Sequence, residues 1–114
     1  MYNPQLIKED EAENVMKEVG TTDVGIKIMV PKTKFRLVKL STVRNSMANI
    51  IKQEMLSLGG DAAVNKGTVN CTVEKTDVLL IGTLGHYKEL IKKLLIQPKE
   101  CKDVGKELNK FLFK

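Results

Sequence analysis

The sequence predicts an α/β domain, with α+β as the alternative: a mixed β-sheet of about four to five strands with about four helices packed on it. Three observations carry this expectation. Ala48, Ile51, Met55 and Leu58 fall at helical spacing and run into Gly59-Gly60. Lys34 to Leu40 alternates as a strand does. Val78-Leu79-Leu80-Ile81 is continuously apolar and short, and Gly82-Thr83 joins it to another helical stripe.

In chain order, Tyr2 to Lys8 reads as a short strand that Pro4 confines to an edge. Asp10 suits an N-cap, with Glu13 three residues on as in a capping box. The stripe Ala12, Val15, Met16, Val19 then gives a helix over Glu11 to Val19, closed by Gly20. Gly25 to Val30 alternates briefly and stops at Pro31. In Lys34 to Leu40, Phe35 and Leu37 point one way and Lys34 and Arg36 the other. The alternation slips at Leu37-Val38, so either both faces are covered or a bulge intervenes. Ser41 and Thr42 end that strand.

The second helix spans Arg44 to Leu58, and Gly59 takes the left-handed position that stops it. Ala62-Ala63-Val64 follows as a tight inner strand, and Asn65-Lys66-Gly67 as a turn. Val69, Cys71 and Val73 alternate with polar residues as a half-exposed strand. Val78 to Ile81 is expected at the sheet centre, buried on both faces. Leu84, Tyr87, Leu90, Ile91, Leu94 and Leu95 stripe a third helix, which Pro98 ends while opening a fourth. That last helix carries Cys101, Val104, Leu108, Phe111 and Leu112. Parallel neighbours in such a sheet would be joined by right-handed crossovers.

Size and charge narrow the function classes. At 114 residues the chain suits one domain and is too short for a (β/α)8 barrel, which needs roughly 200 residues or more. The net charge of +5 admits RNA or an acidic partner, or simply a lysine-rich solubilising surface. Single-stranded nucleic acid is disfavoured, because no exposed aromatics interleave with the basic residues Lys32, Lys34 and Arg36. The charge is uneven: residues 1–22 hold five acids and two lysines, whereas residues 85–114 hold eight lysines and four acids. No secretory leader or span of about 20 apolar residues is evident, so a cytoplasmic protein with reduced thiols is expected, away from membranes.

Chemistry-bearing residues are few. Gly59-Gly60 follows a helix instead of opening one, which argues against a dinucleotide loop. Gly82-Thr83-Leu84-Gly85 is better placed, between a buried strand and a helix, where α/β proteins hold anions. It lacks the Lys-Ser/Thr ending of a phosphate loop. Gly82, Thr83, Gly85 and His86 are therefore the candidate ligand-binding residues, with a tight strand–helix turn as the plainer reading. His86, the one histidine, would need a carboxylate such as Glu89 to act as a base. Cys71 is expected in the core. Cys71, His86 and Cys101 fall fifteen residues apart, a spacing that matches no metal motif. No catalytic residues, metal or cofactor are assigned.

Whole phrases of the chain do resemble a known family. They are Gly25-Ile-Lys-Ile-Met-Val-Pro-Lys32, Asn49 to Val64, Val69 to Thr83, and Tyr87 to Pro98. Together they are similar to the domain that precedes the barrel in long-form dihydropteroate synthases of clostridia-like bacteria. Members of that family join p-aminobenzoate to a pterin pyrophosphate in folate biosynthesis, on a TIM barrel. The barrel's pterin and phosphate motifs have no counterpart here, and Val69-Asn-Cys-Thr-Val does not continue as an Asn-Val-Thr-Pro-Asp-Ser-Phe phrase would. The resemblance implies that residues 1–114 form one accessory or interaction domain, not catalytic by itself, whose parent would be a transferase. The implied partner is a TIM-barrel synthase domain in cis or trans, with a homo-oligomer as a further expectation. The stretch Met47 to Val64, first suggestive of a glycine-rich ligand loop, becomes a core helix with a glycine stop and carries the strongest part of the likeness.

Overall fold

A computed structural model describes residues 1–113. Its helix boundaries follow from local chemistry. The first helix, α1 (Ala12–Val19), ends where Gly20 adopts φ 93°, as its glycine predicts. Its start differs from expectation. A 3-10 turn over Glu9–Glu11 precedes it, and Glu11 rather than Asp10 holds the N-cap position, without a side-chain cap. The Glu11 carboxylate instead accepts the Lys8 backbone N–H at 3.3 Å.

Residues 1–8 are exposed and form no strand. The alternation at Gly25 to Val30 is also overruled. Thr22 Oγ1 accepts the Gly25 N–H at 3.0 Å, and this cap starts α2 (Asp23–Met29). A 3-10 turn with Pro31 near its start, Val30–Thr33, continues it.

Strand β1 (Phe35–Arg44) then runs three residues beyond Ser41. The irregularity falls between Leu40 and Val43, later than the Leu37-Val38 slip suggests, and Thr42 takes φ 56° there. Asp77 Oδ1 accepts the Thr42 N–H at 3.0 Å and holds this bulge. Helix α3 (Asn45–Leu58) buries Ala48, Ile51 and Met55, and Gly59 stops it at φ 102°.

Strand β2 (Asp61–Ala63) pairs with β3 (Lys75–Thr83), which also pairs with β1. The described residues therefore form one three-stranded sheet of order β1-β3-β2, antiparallel throughout. This corrects the mixed sheet of four to five strands and selects α+β. Central β3 agrees with the apolar run at Val78–Ile81. The Ala62–Val64 strand lies at an edge, not inside. The alternation at Val69–Val73 forms turns instead of a strand: Thr68 N–H donates to Asn65 O, and Thr72 N–H to Gly67 O, both at 2.9 Å. Cys71 sits there exposed at φ 60°, which overturns its placement in the core.

Helix α4 (Leu84–Leu95) and α5 (Lys99–Phe113) complete five α-helices among the described residues. Helices α3 and α4 pack on one face of the sheet, and α5 packs on α4. The core between the layers joins Val38, Val78 and Leu80 of the sheet to Ile51, Met55, Tyr87, Leu90 and Leu94 of the helices. Cys101 and Leu108 extend it under α5. The other sheet face is open: Leu37 is 62% exposed and Leu79 37%, so β3 is not buried on both faces. The reason is the connectivity. All helices after β1 return to one side, leaving nothing in the described chain to cover the other.

Candidate functional site

The turn from β3 into α4 is built from the residues singled out in the sequence. Thr83 caps α4, its Oγ1 accepting the His86 N–H at 3.3 Å. His86 returns the contact, its Nδ1 accepting the Thr83 N–H at 3.0 Å. A backbone donor aimed at Nδ1 leaves the neutral ring's proton on Nε2. The first amide of α4, Leu84 N–H, donates to Lys34 O at 2.8 Å. Gly85 lies between these two committed positions.

Close packing explains the surrounding glycines. A Cβ at Gly82 would stand 2.8 Å from Met55 Cε and 3.0 Å from His86 Nδ1. One at Gly60 would stand 2.7 Å from the Ile81 carbonyl oxygen, a backbone atom with little freedom to retreat. At Gly59 the neighbour would be His86 Nε2 at 3.3 Å. The helix stop at Gly59-Gly60 and the strand–helix turn at Gly82–His86, far apart in sequence, thus meet around one imidazole.

In front of this turn lies a cleft of about 590 Å³. Thr83, Gly85 and His86 line it, together with Lys27 of α2, Pro31 and Lys32 of the following turn, Leu58 of α3 and Lys88 of α4. Gly82 is buried behind the ring and does not line it. Lys27 and Lys32 make no ion pair among the described residues, whereas Lys88 Nζ sits over the Phe113 ring at 5.7 Å from its centroid. The cleft is therefore mainly basic, tempered by Glu89 on its wall. Lys27 escapes the sequence reading because its segment looks like a strand, whereas Lys32 stands out there only as a basic residue grouped with Lys34 and Arg36, away from the Gly82–His86 turn. The Thr22 cap was the signal that would have placed them on a helix and the turn after it.

Other candidates are dispersed or already engaged. Glu89 Oε2 pairs with Lys92 at 3.2 Å, so it does not serve His86. Arg36 pairs with Glu9 at 2.9 Å, and Glu9 also accepts the Phe35 N–H at 3.2 Å. These contacts, led by the Arg36 hydrogen bond, hold the Glu9 carboxyl below its usual range. Cys71 is on an exposed turn, His86 at the start of α4, and Cys101 in the core, where burial pushes its thiol pKa up. Among the described residues no cluster of three His, Cys, Asp or Glu side chains could hold a metal, and no helix is long and apolar enough to cross a membrane.

Comparison with known proteins places the chain beside a folate-pathway protein. Over 103 residues, 90% of its length, it is 31% identical to the probable bifunctional folylpolyglutamate synthase/dihydropteroate synthase of Halobacterium salinarum. The chain is related to one segment of that protein. The segment spans 12% of the relative's length, so the match covers a small part of a much larger polypeptide. No family model matches the chain, and no solved structure does.

Proposed function

We propose that this chain is a non-catalytic accessory or interaction domain of a dihydropteroate synthase, set beside the catalytic barrel. The observation that carries the reading is the 31% identity, extending over 90% of the chain, to a segment of a protein with that activity in its name. The phrase-level likeness to the region preceding the barrel supports the same reading, with the domain N-terminal to it. The state of the reactive side chains is in keeping with a supporting role. Thr83 and His86 cap a helix, Glu89 pairs with lysine, and Cys101 is core. The partner on this reading is a TIM-barrel synthase domain in cis or trans, in the cytoplasm, and the domain brings no cofactor of its own.

The test compares dihydropteroate formation by the barrel alone, by this chain alone, and by the two together. The expected result is no turnover by this chain and altered turnover or stability of the barrel when it is added. Turnover by this chain alone would sink the reading.

The cleft favours a second reading, a small module that binds a phosphorylated ligand or RNA. Its motive is the convergence of Lys27 and Lys32 on the capped start of α4 at Gly85 and His86. Titration with inorganic pyrophosphate, and heparin retention, at low salt would detect it, with Lys27→Ala/Lys32→Ala losing the signal. Absence of binding at low salt removes this reading, since charge-driven affinity is strongest there.

A further inference from the structure

The two outer edges of the sheet are finished differently. At the start of the β1–β3 pair, Leu84 N–H donates to Lys34 O. Even-numbered residues from Lys34 to Leu40 therefore turn their backbone groups toward β3, and Phe35, Leu37 and Lys39 turn theirs outward. On the opposite edge the same alternation turns Ala62 outward from β2. Both its groups are taken: its N–H donates to Asp61 Oδ1 at 2.7 Å, and Lys52 Nζ donates to its carbonyl. Phe35 is covered likewise, its N–H donating to Glu9 Oε2 at 3.2 Å and its carbonyl accepting from Arg36 Nη1 at 2.8 Å. Among the described residues nothing engages the outward groups of Leu37 and Lys39. An edge left bare in this way accepts an added strand. Alongside it lies a groove of about 290 Å³ between residues 37–40 of β1 and Leu108 and Phe111 of α5.

Residues 4–8 are the segment placed to reach this edge. Glu9, next to them, is held at Phe35 by its carboxylate and paired with Arg36 at 2.9 Å. Lys8 is already extended, at φ −74° and ψ 151°. Asn3, at φ 49°, marks where a straight strand would stop. Leu6 is 104% exposed, an apolar side chain without a packing partner.

Two separate features fix the same phase for pairing. Continuing antiparallel from Glu9 at Phe35 sets Ile7 beside Leu37 and Gln5 beside Lys39. Lys8, Leu6 and Pro4 then turn their backbone away from β1. Pro4 has no N–H to give, and this is the phase that asks none of it. The Lys8 N–H, also turned away, keeps its bond to the Glu11 carboxylate. Side chains follow the same alternation. Ile7 lies by the exposed Leu37, whereas Leu6 and Pro4 take the side of Val38 and Leu40 and enter the groove at Leu108 and Phe111.

We propose that residues 4–8 are a strap that closes on the free edge of β1 as an antiparallel strand, with Ile7 beside Leu37, Gln5 beside Lys39 and Leu6 in the groove against α5. The structure shows the strap open. Closure satisfies the outward groups of Leu37 and Lys39 and buries Leu6. Opening exposes the same edge to extended segments of other chains. The inference does not depend on the folate-pathway reading.

The test traps the closed strap in the full chain carrying Cys71→Ser, which leaves only the buried Cys101 of the native cysteines. Directly opposite residues in a hydrogen-bonded pair stand about 5.5 Å apart, within reach of a disulfide. Ile7→Cys/Leu37→Cys should therefore oxidise at dilute protein to a cross-link within one chain, seen as a monomer on a non-reducing gel and identified by peptide mass. It should form at least tenfold faster than in Leu6→Cys/Leu37→Cys, whose side chains lie on opposite faces of the closed strap. Without added cysteines, the Leu37 and Lys39 amides should exchange with deuterium at least tenfold more slowly than in Gln5→Pro, which removes a donor aimed at β1. Gln5→Pro should keep the wild-type circular dichroism spectrum, because residue 5 lies outside the core. Equal cross-linking of the two cysteine pairs overturns the proposal, as does equal exchange in Gln5→Pro and the wild type. A cross-link formed only between molecules also overturns it and gives the edge to a second copy.

Discussion

Tyr87 shows how much one side chain settles. Its ring is fully buried, and its hydroxyl donates toward two carbonyls, Arg36 O at 2.8 Å and Leu80 O at 3.1 Å. The helix α4 is thereby tied to neighbouring strands β1 and β3 through one proton shared between two acceptors. Burial pushes the Tyr87 hydroxyl up to about 12, against an opposing pull from the Val38 backbone. In the unfolded chain the phenol ionises first, near pH 10. The neutral phenol's contribution to stability is therefore complete below pH 10 and lost as pH rises from about 10 to 12. Tyr87→Phe should cost about 1–3 kcal/mol at neutral pH by leaving two carbonyls short of a donor. Urea unfolding should also show a shallower stability loss between pH 10 and 12 in this variant than in the wild type. An equal alkaline slope in both proteins would rule out this assignment.

At the scale of elements, the turns depend on interlocking local contacts. Thr83 and His86 satisfy each other's backbone N–H at the start of α4, so removing the hydroxyl frees only part of the cap. Thr83→Ala should lower stability by about 1 kcal/mol, as N-cap losses do. Chemical denaturation measures this, and the loss should come with faster amide exchange in the first turn of α4. The bulge of β1 depends on a similar local device. Thr42, a β-branched residue at φ 56°, is kept there by the Asp77 carboxylate on the adjacent strand. That contact, with Lys39 nearby, lowers the Asp77 pKa.

For the whole molecule, two layers share one core, and α5 widens it by resting on α4. The approach is close at Gly105, where an added Cβ would meet Leu94 Cβ at 3.1 Å and Leu95 Cδ2 at 3.3 Å. A glycine inside a helix costs about 1 kcal/mol in propensity, and here the cost accompanies tight contact between two helices. Gly105→Leu would force α5 off α4 and should destabilise the domain by about 1–3 kcal/mol, in spite of the better helix former. Thermal unfolding checks this, and an unchanged or raised midpoint would show that α5 is free to move. The open sheet face belongs to the same scale, because it exists only through the placement of α3, α4 and α5 on one side.

Several elements were legible in the sequence because their signals are local. Gly20 and Gly59 stop their helices at φ 93° and 102°, a backbone state that glycine enters without steric cost. The stripes at Ala48–Leu58 and Leu84–Leu95 bury the residues their periodicity selects. The central place of Val78–Ile81 also followed from its apolar run. Gly82, Thr83, Gly85 and His86 were identifiable as a strand–helix turn on the same local grounds.

Alternation alone misled at Gly25–Val30 and Val69–Val73, where a threonine cap and short-range turn bonds outcompete strand pairing. At Phe35 and Leu37 it gave the shared face correctly but not its side, which is the open one. By itself the sequence determined where helices stop, which helix faces are apolar and which strand is central, because those depend on neighbours a few residues away. Only the tertiary structure decided that the sheet is antiparallel with three strands, that Lys27 and Lys32 meet the Gly82–His86 turn, and that one sheet face stays uncovered. Each of those depends on contacts between distant segments, whose register and side are fixed by burial of the shared core.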